Sequence, residues 1–251
     1  MDLQINDSYH PCGALYLRHY YLGTKLHRED GPANEIFYQN GTLETREYYI
    51  DGKRHREDGP AYKSFYNDGS PWSNEWYIND QFHREDGPAL MVFSQGDILA
   101  VTKWYRAGKC HREGGPAYET FRDDGQIILS EWQLNDKRHR DDGPAYEAFY
   151  EDGSIHIRVW YKNGHPFKPE GPAYQNFHSN GTIHTQEWYM NNKLHREDGP
   201  AMEYFSLTGK RVTASYYLKG EYVRKADYQR RLAVSRLLSR NLVDSEIAHR
   251  L

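Results

Sequence analysis

The chain has 251 residues, 37% hydrophobic, 27% charged and 15% aromatic, with 22 Tyr, 6 Trp and a formal net charge of −4. Low aliphatic content excludes a thick core, while the abundance of Tyr and Trp favours half-buried strands over disorder. Two cysteines, Cys12 and Cys110, exclude a disulfide framework and fit a reducing cytoplasm. No stretch reaches the ~20 apolar residues of a membrane helix, and the first residues lack a signal-peptide pattern.

In chain order, residues 13–26 match the second half of a unit that is complete further on, so Met1–Leu26 reads as a worn first repeat. The phrase His-Arg-Glu-Asp-Gly-Pro-Ala then recurs every 28 residues, beginning at His27, His55, His83, His111, His139 and His195. A degraded copy, Phe167-Lys168-Pro169-Glu170-Gly171-Pro172-Ala173, keeps the register. A fixed period of this kind marks a repeat architecture, in which each unit buries its apolar surface against the next.

Within residues 59–86, Ala61 to Tyr66 is predicted as a strand and Asp68-Gly69 as a hairpin turn. Residues 71–78 are a second strand ending in Trp76-Tyr77, Asn79-Asp80 a second turn, and Phe82-His83-Arg84 a short third strand. Adjacent strand residues face opposite sides, so the Trp76-Tyr77 pair implies an aromatic ladder on each face unless a bulge intervenes. Residues 199–223 are a worn last repeat. Ala226–Arg240 places Tyr228, Leu232, Leu237 and Leu238 near helical spacing, and Asp244 or Ser245 can N-cap a second short helix.

The expected fold is all-β: an elongated antiparallel β-hairpin repeat sheet of seven to eight units over residues 1–223, with a C-terminal capping α-helix over 224–251. The last 28 residues carry seven Lys/Arg and three acids, leaving 25 basic and 33 acidic residues in the body. An acidic body is a poor surface for nucleic-acid phosphates, whereas the basic helix is a candidate for anionic membrane.

The phrase contains metal ligands and acid/base groups. Histidines one repeat apart lie ~9–10 Å from each other, too far to share a zinc ion with bonds of ~2.1 Å. A site would have to form within one repeat, yet Gly114, Phe167 and Pro169 interrupt the pattern. The expectation is no cofactor, no metal and no catalytic residue. Instead, Arg should pair with Asp or Glu of its own or the next unit, in a networked charge ladder. Gly-Pro-Ala lacks the phosphate-loop pattern and reads as a turn into a strand.

Variable positions are better candidates for specificity. Two and four residues before the Trp column, on its face by alternation, stand Glu44 and Arg46, Trp72 and Asn74, His156 and Arg158, and His184 and Gln186. Trp72, large and off the consensus, is the expected anchor.

Glu187-Trp188-Tyr189-Met190-Asn191-Asn192-Lys193-Leu194-His195 and Glu47-Tyr48-Tyr49-Ile50-Asp51-Gly52-Lys53-Arg54-His55 resemble the MORN (membrane occupation and recognition nexus) repeat and its bacterial MORN-like relatives. The likeness covers about residues 13–223, with a longer period and Arg where the family has Gly after His. The phrase itself resembles repeat proteins of bacteriophages and large DNA viruses. That resemblance implies a non-enzymatic scaffold that binds another protein, such as a viral inhibitor of a host defence factor in the host cytoplasm. Two alternatives stand beside it: a peripheral binder of anionic lipid, and a hydrolase using His, Glu and Asp of one repeat.

Overall fold

The computed structural model describes residues 2–234. The protein is all-β, built of antiparallel hairpins, with a helix over residues 225–234. It divides into two compact units, Met1–Arg138 and His139–Leu251.

Unit 1 begins with the hairpin Leu3–Tyr9 and Leu15–Leu22. Four more follow: Asn34–Phe37 with Leu43–Glu47, Tyr62–Phe65 with Pro71–Glu75, Leu90–Ser94 with Ile98–Lys103, and Tyr118–Phe121 with Ile127–Glu131. Each return strand pairs antiparallel with the next outgoing strand, as in Glu47↔Tyr62 and Glu75↔Leu90. Unit 2 repeats the arrangement in Tyr146–Phe149 with Ile155–Val159, Tyr174–Phe177 with Ile183–Glu187, and Met202–Phe205 with Arg211–Leu218.

The expected second strand, 71–78, is broken. It ends at Glu75, and Tyr77–Ile78 begins a separate two-stranded ribbon with Gln81–Phe82. Competing hydrogen bonds cause the break. The Trp76 amide donates to the Ala89 carbonyl (2.8 Å), and the Trp76 carbonyl accepts the His83 amide (3.0 Å). The short third strand is therefore Gln81–Phe82 rather than 82–84. Its turn takes positive φ at Asn79 (52°) and Asp80 (65°), the two-residue geometry whose twist suits a hairpin.

Aromatic groups do occupy both sides. Arg84 lies 4.2 Å over the Trp76 ring, whereas the Tyr77 hydroxyl donates to Glu75 (2.7 Å), two residues back on its own side. One side is covered by guanidinium groups and the other by a Glu–Tyr network, so neither aromatic ladder needs a second sheet.

The core is correspondingly thin. Its continuous element is the alanine of each phrase: Ala33, Ala61, Ala89, Ala117, Ala145, Ala173 and Ala201 are all fully buried. Among the described residues, the largest fully enclosed side chain is Ser64, bonded to Ser73 (2.8 Å).

The C-terminal helix replaces a phrase. Val223, Arg224 and the residues after them occupy the register where a His-Arg-Glu-Asp phrase would stand, and Val223 and Tyr228 are buried. Tyr228 covers the Tyr216 ring at 4.7 Å and donates its hydroxyl to the Arg196 carbonyl (3.3 Å). Tyr216 stands in the Trp column, so Tyr228 takes the place an arginine holds elsewhere. Leu237, Leu238 and the second helix expected from Asp244 or Ser245 lie outside the described residues.

Candidate functional site

The phrase is a set of clamps. Arg stacks on the aromatic of its own repeat: Arg28 on Tyr20 (4.1 Å), Arg56 on Tyr48 (4.0 Å), Arg84 on Trp76 (4.2 Å) and Arg196 on Trp188 (4.0 Å). Its Nε donates to the Asp two residues on, at 2.8 Å in Arg28–Asp30, 2.7 Å in Arg56–Asp58 and 2.8 Å in Arg84–Asp86. The Arg–Asp pairs therefore close within a single phrase, while Lys162 with Asp141 (3.2 Å) and Arg106 with Glu85 (3.9 Å) link a phrase to the next repeat. This bond holds the carboxyls of Asp30, Asp58, Asp86 and Asp142 below the usual aspartate range.

Glycine leaves room for the arginine of the clamp. A Cβ on Gly87 would sit 2.6 Å from the Arg84 guanidinium carbon, and one on Gly31, Gly115, Gly143 or Gly199 would stand 2.7–2.9 Å from its own arginine.

Histidine links repeats. Its Nδ1 accepts the amide of the first turn residue 24 positions on: Asp51 to His27 (3.0 Å), Ala107 to His83 (3.1 Å), Asn163 to His139 (3.1 Å) and Lys219 to His195 (3.0 Å). These turn residues have φ of 48–53°. An accepting Nδ1 places the ring proton on Nε2, which faces the acid two residues on at 3.4–4.0 Å. Backbone bonds run alongside, with the Arg84 amide donating to the Tyr105 carbonyl (3.1 Å) and Gly108 to Phe82 (2.9 Å).

The interrupted copies keep the stacking; the first loses the carboxylate two residues after its Arg, and the second has Lys168 and Glu170 in place of Arg and Asp. Arg112 lies 3.9 Å over Trp104 and donates to the Pro116 carbonyl (3.0 Å), while Gly114 takes φ +73° where the other copies have acid. Lys168 sits 3.7 Å over Trp160, and Phe167 is exposed in place of His.

The column before Trp was missed in sequence. Glu47 is buried and accepts from Asn34 (2.9 Å), the Tyr49 hydroxyl (2.7 Å) and Arg54 Nε (2.8 Å). Glu131 repeats this with Gln133 (2.7 Å) and Arg138 (2.7 Å). Burial, reinforced by the bond to Glu47, pushes the Tyr49 phenol up to about 12. The available signal was the recurring Glu-aromatic pair with Arg seven residues after Glu, in Glu47/Arg54 and Glu131/Arg138.

The predicted partner-binding residues separate into two groups. Arg46, Asn74, Arg158 and Gln186 stand in regular cross-strand rows. Arg46 pairs with Glu35 (3.2 Å), Asn74 lies between Lys63 and Met91, Arg158 pairs with Glu147 (3.0 Å), and Gln186 lies between Gln175 and Glu203. Glu44, Trp72, His156 and His184 do not follow strict alternation. In every hairpin the register shifts here, as from Ser64↔Ser73 to Phe65↔Pro71, which leaves Trp72 as the extra residue of a β-bulge. Glu44, His156 and His184 occupy the same place. Bulges re-aim a side chain. His156 packs on Tyr150 (4.4 Å) and His184 on His178 (4.6 Å), whereas Trp72 is 51% exposed. Unit 1 thus holds Glu44, Arg46, Trp72 and Asn74, and unit 2 holds His156, Arg158, His184 and Gln186.

Among the described residues no group of three or more His, Cys, Asp or Glu is placed to hold a metal ion, and no helix is long and apolar enough to cross a membrane.

No protein-family model and no curated protein matches the chain. Among solved structures, an alternansucrase in complex with isomaltononaose is 14% identical, with 89% of this chain and 16% of that chain covered and a TM-score of 0.21. Choline binding protein F from Streptococcus pneumoniae is 15% identical over 87% of this chain and 82% of that one, TM-score 0.16. CbpF in complex with ipratropium is 13% identical over 88% and 99%, TM-score 0.15. The chain spans well under two thirds of the alternansucrase.

Proposed function

We propose that the protein is a non-enzymatic repeat scaffold that binds another protein, with Trp72 as its anchor. The observation that carries this reading is the exposure of Trp72 at a β-bulge, a position that re-aims its side chain, in a repeat whose Trp76 lies under Arg84 and whose Tyr77 bonds Glu75. Large aromatic side chains at such points supply much of the energy of protein interfaces. Support also comes from the phrase: its Arg, His, Gly and Ala are engaged in holding the repeat together, so a hydrolase would have to break the scaffold to use them. Tyr228, docked on Tyr216, supports a capping role for the basic helix over a lipid-binding one. In the finer reading, drawn from the viral and phage resemblance, the bound protein is a host defence factor that the chain inhibits.

Affinity capture from a lysate, with the intact chain and Trp72→Ala side by side, tests the proposal. A protein recovered by the first and lost with the second, at unchanged thermal stability, is the expected result. Equal recovery by both would rule out the Trp72 surface.

A further inference from the structure

We propose that unit 1 carries a second binding surface: a groove along its row of phrases that takes an extended basic peptide. A cleft of about 500 Å³ lies between the phrases of Arg28 and Arg56, one of about 860 Å³ between those of Arg56 and Arg84, and one of about 360 Å³ between those of Arg84 and Arg112. Neighbouring clefts share lining residues, Arg56 and Glu57 in the first two and Arg84 and Glu85 in the last two, so they form one continuous groove. Its wall includes apolar surface from Tyr48, Ile50, Trp76, Ile78 and Trp104.

Charge selects the occupant. Arg28, Arg56 and Arg84 are each neutralised by their own aspartate. The glutamates are not used in this way. Glu29, Glu57, Glu85 and Glu113 have side chains 71–86% exposed, facing a histidine at 3.7–4.0 Å, and Glu85 also meets Arg106 at 3.9 Å. Glu29, Glu57 and Glu113 therefore stand at the groove with only a histidine beside them, and Glu85 with a histidine and the mostly exposed Arg106. An array of such carboxylates above apolar walls complements aliphatic stems that end in positive charge.

Spacing narrows the class. Two strands per repeat set equivalent carboxylates ~9.6 Å apart. A polyproline II segment has three residues per turn and rises ~3.1 Å per residue, which returns every third side chain to the same side at ~9.3 Å. A peptide with Lys or Arg at every third position thus presents one cation per repeat. In an α-helix the same distance takes roughly six residues, a spacing that does not return to one face. This groove is separate from the Trp72 bulge, and the proposal goes beyond the protein-binding reading above and stands without it.

The test titrates the full chain, at low salt, against two labelled peptides of identical composition. One is four repeats of Lys-Pro-Pro; the other gathers its four lysines at one end. The periodic peptide is expected to bind about tenfold tighter. Glu57→Gln combined with Glu85→Gln should remove that preference while circular dichroism and the melting transition stay unchanged. Trp72→Ala should leave peptide binding as it is. Equal affinity for the two peptides would mean general attraction to an acidic body and would overturn the groove, as would no binding of either, or a preference that survives the double substitution.

Discussion

Gly87 lacks a side chain because Arg84 occupies the space a Cβ would fill, and Arg84 is there because Trp76 offers a ring face and Asp86 an acceptor. Gly87→Ala should therefore cost about 1 kcal/mol, the scale of the cation–π contact it disturbs. In an Arg84→Ala background the same change should be neutral or slightly stabilising, because Ala narrows the unfolded ensemble. A double-mutant cycle read by urea denaturation gives the coupling, and additive costs would show that the glycine answers to something else. The cysteines differ just as sharply. Burial pushes the Cys110 thiol up to about 11, and Cys12 is exposed. Thiolate is the reactive form, so a disulfide reagent at pH 8 should label Cys12 promptly and Cys110 only on unfolding. Rapid labelling of both would contradict the packing around Cys110.

At the scale of the hairpin, the ribbon turns demand positive φ at their first residue, which is Asp51, Asn79, Asn135, Asn163 and Asn191 in five repeats but Ala107 and Lys219 in two others. Asn tolerates this region and Ala does not. Ala107→Asn should raise stability by about 0.5–1 kcal/mol in urea unfolding; no gain would mean that the turn relaxes without strain. The turns and the paired hairpins were legible because Asp-Gly and Asn-Gly signals recur in fixed register. The break at Trp76 was not. It arises from hydrogen bonds to Ala89, thirteen residues on, and to His83, which alternation within one strand does not encode. The bulge was hidden for a related reason. Counting by twos placed Trp72 with Asn74, but the extra residue opposite Phe65 changes the register, and its trace in sequence is only that no consensus residue occupies the column. The Arg–Asp pairing was half legible: the residues were identified, but a link between units was expected as readily as the i,i+2 closure that the tight Gly-Pro turn allows.

Across the whole molecule, clamps of one kind recur in both units, so a condition that weakens one weakens many. The bonds from Arg28, Arg56, Arg84 and Arg140 hold Asp30, Asp58, Asp86 and Asp142 below the ordinary value of 3.8. A carboxyl with a lowered folded value adds stability above its unfolded value and loses it as pH falls through the folded one. Stability should hold through mildly acid pH and drop below about pH 4, and Asp58→Asn with Asp86→Asn should flatten that acid limb in pH-dependent urea titrations. An unchanged limb would assign acid sensitivity to other carboxyls. The central claim is that the recurring histidine is an inter-repeat clamp, and amide hydrogen exchange tests it most directly. Amides of Asp51, Ala107, Asn163 and Lys219, which donate to histidine Nδ1, should be protected. The Asn191 amide, one repeat beyond Phe167, has no ring nitrogen to meet and should exchange faster. His83→Ala should expose Ala107, and His83→Asn, which keeps an acceptor near Nδ1, should restore its protection. Equal exchange at Asn191 and the other four, or an Ala107 amide indifferent to His83, would contradict the account.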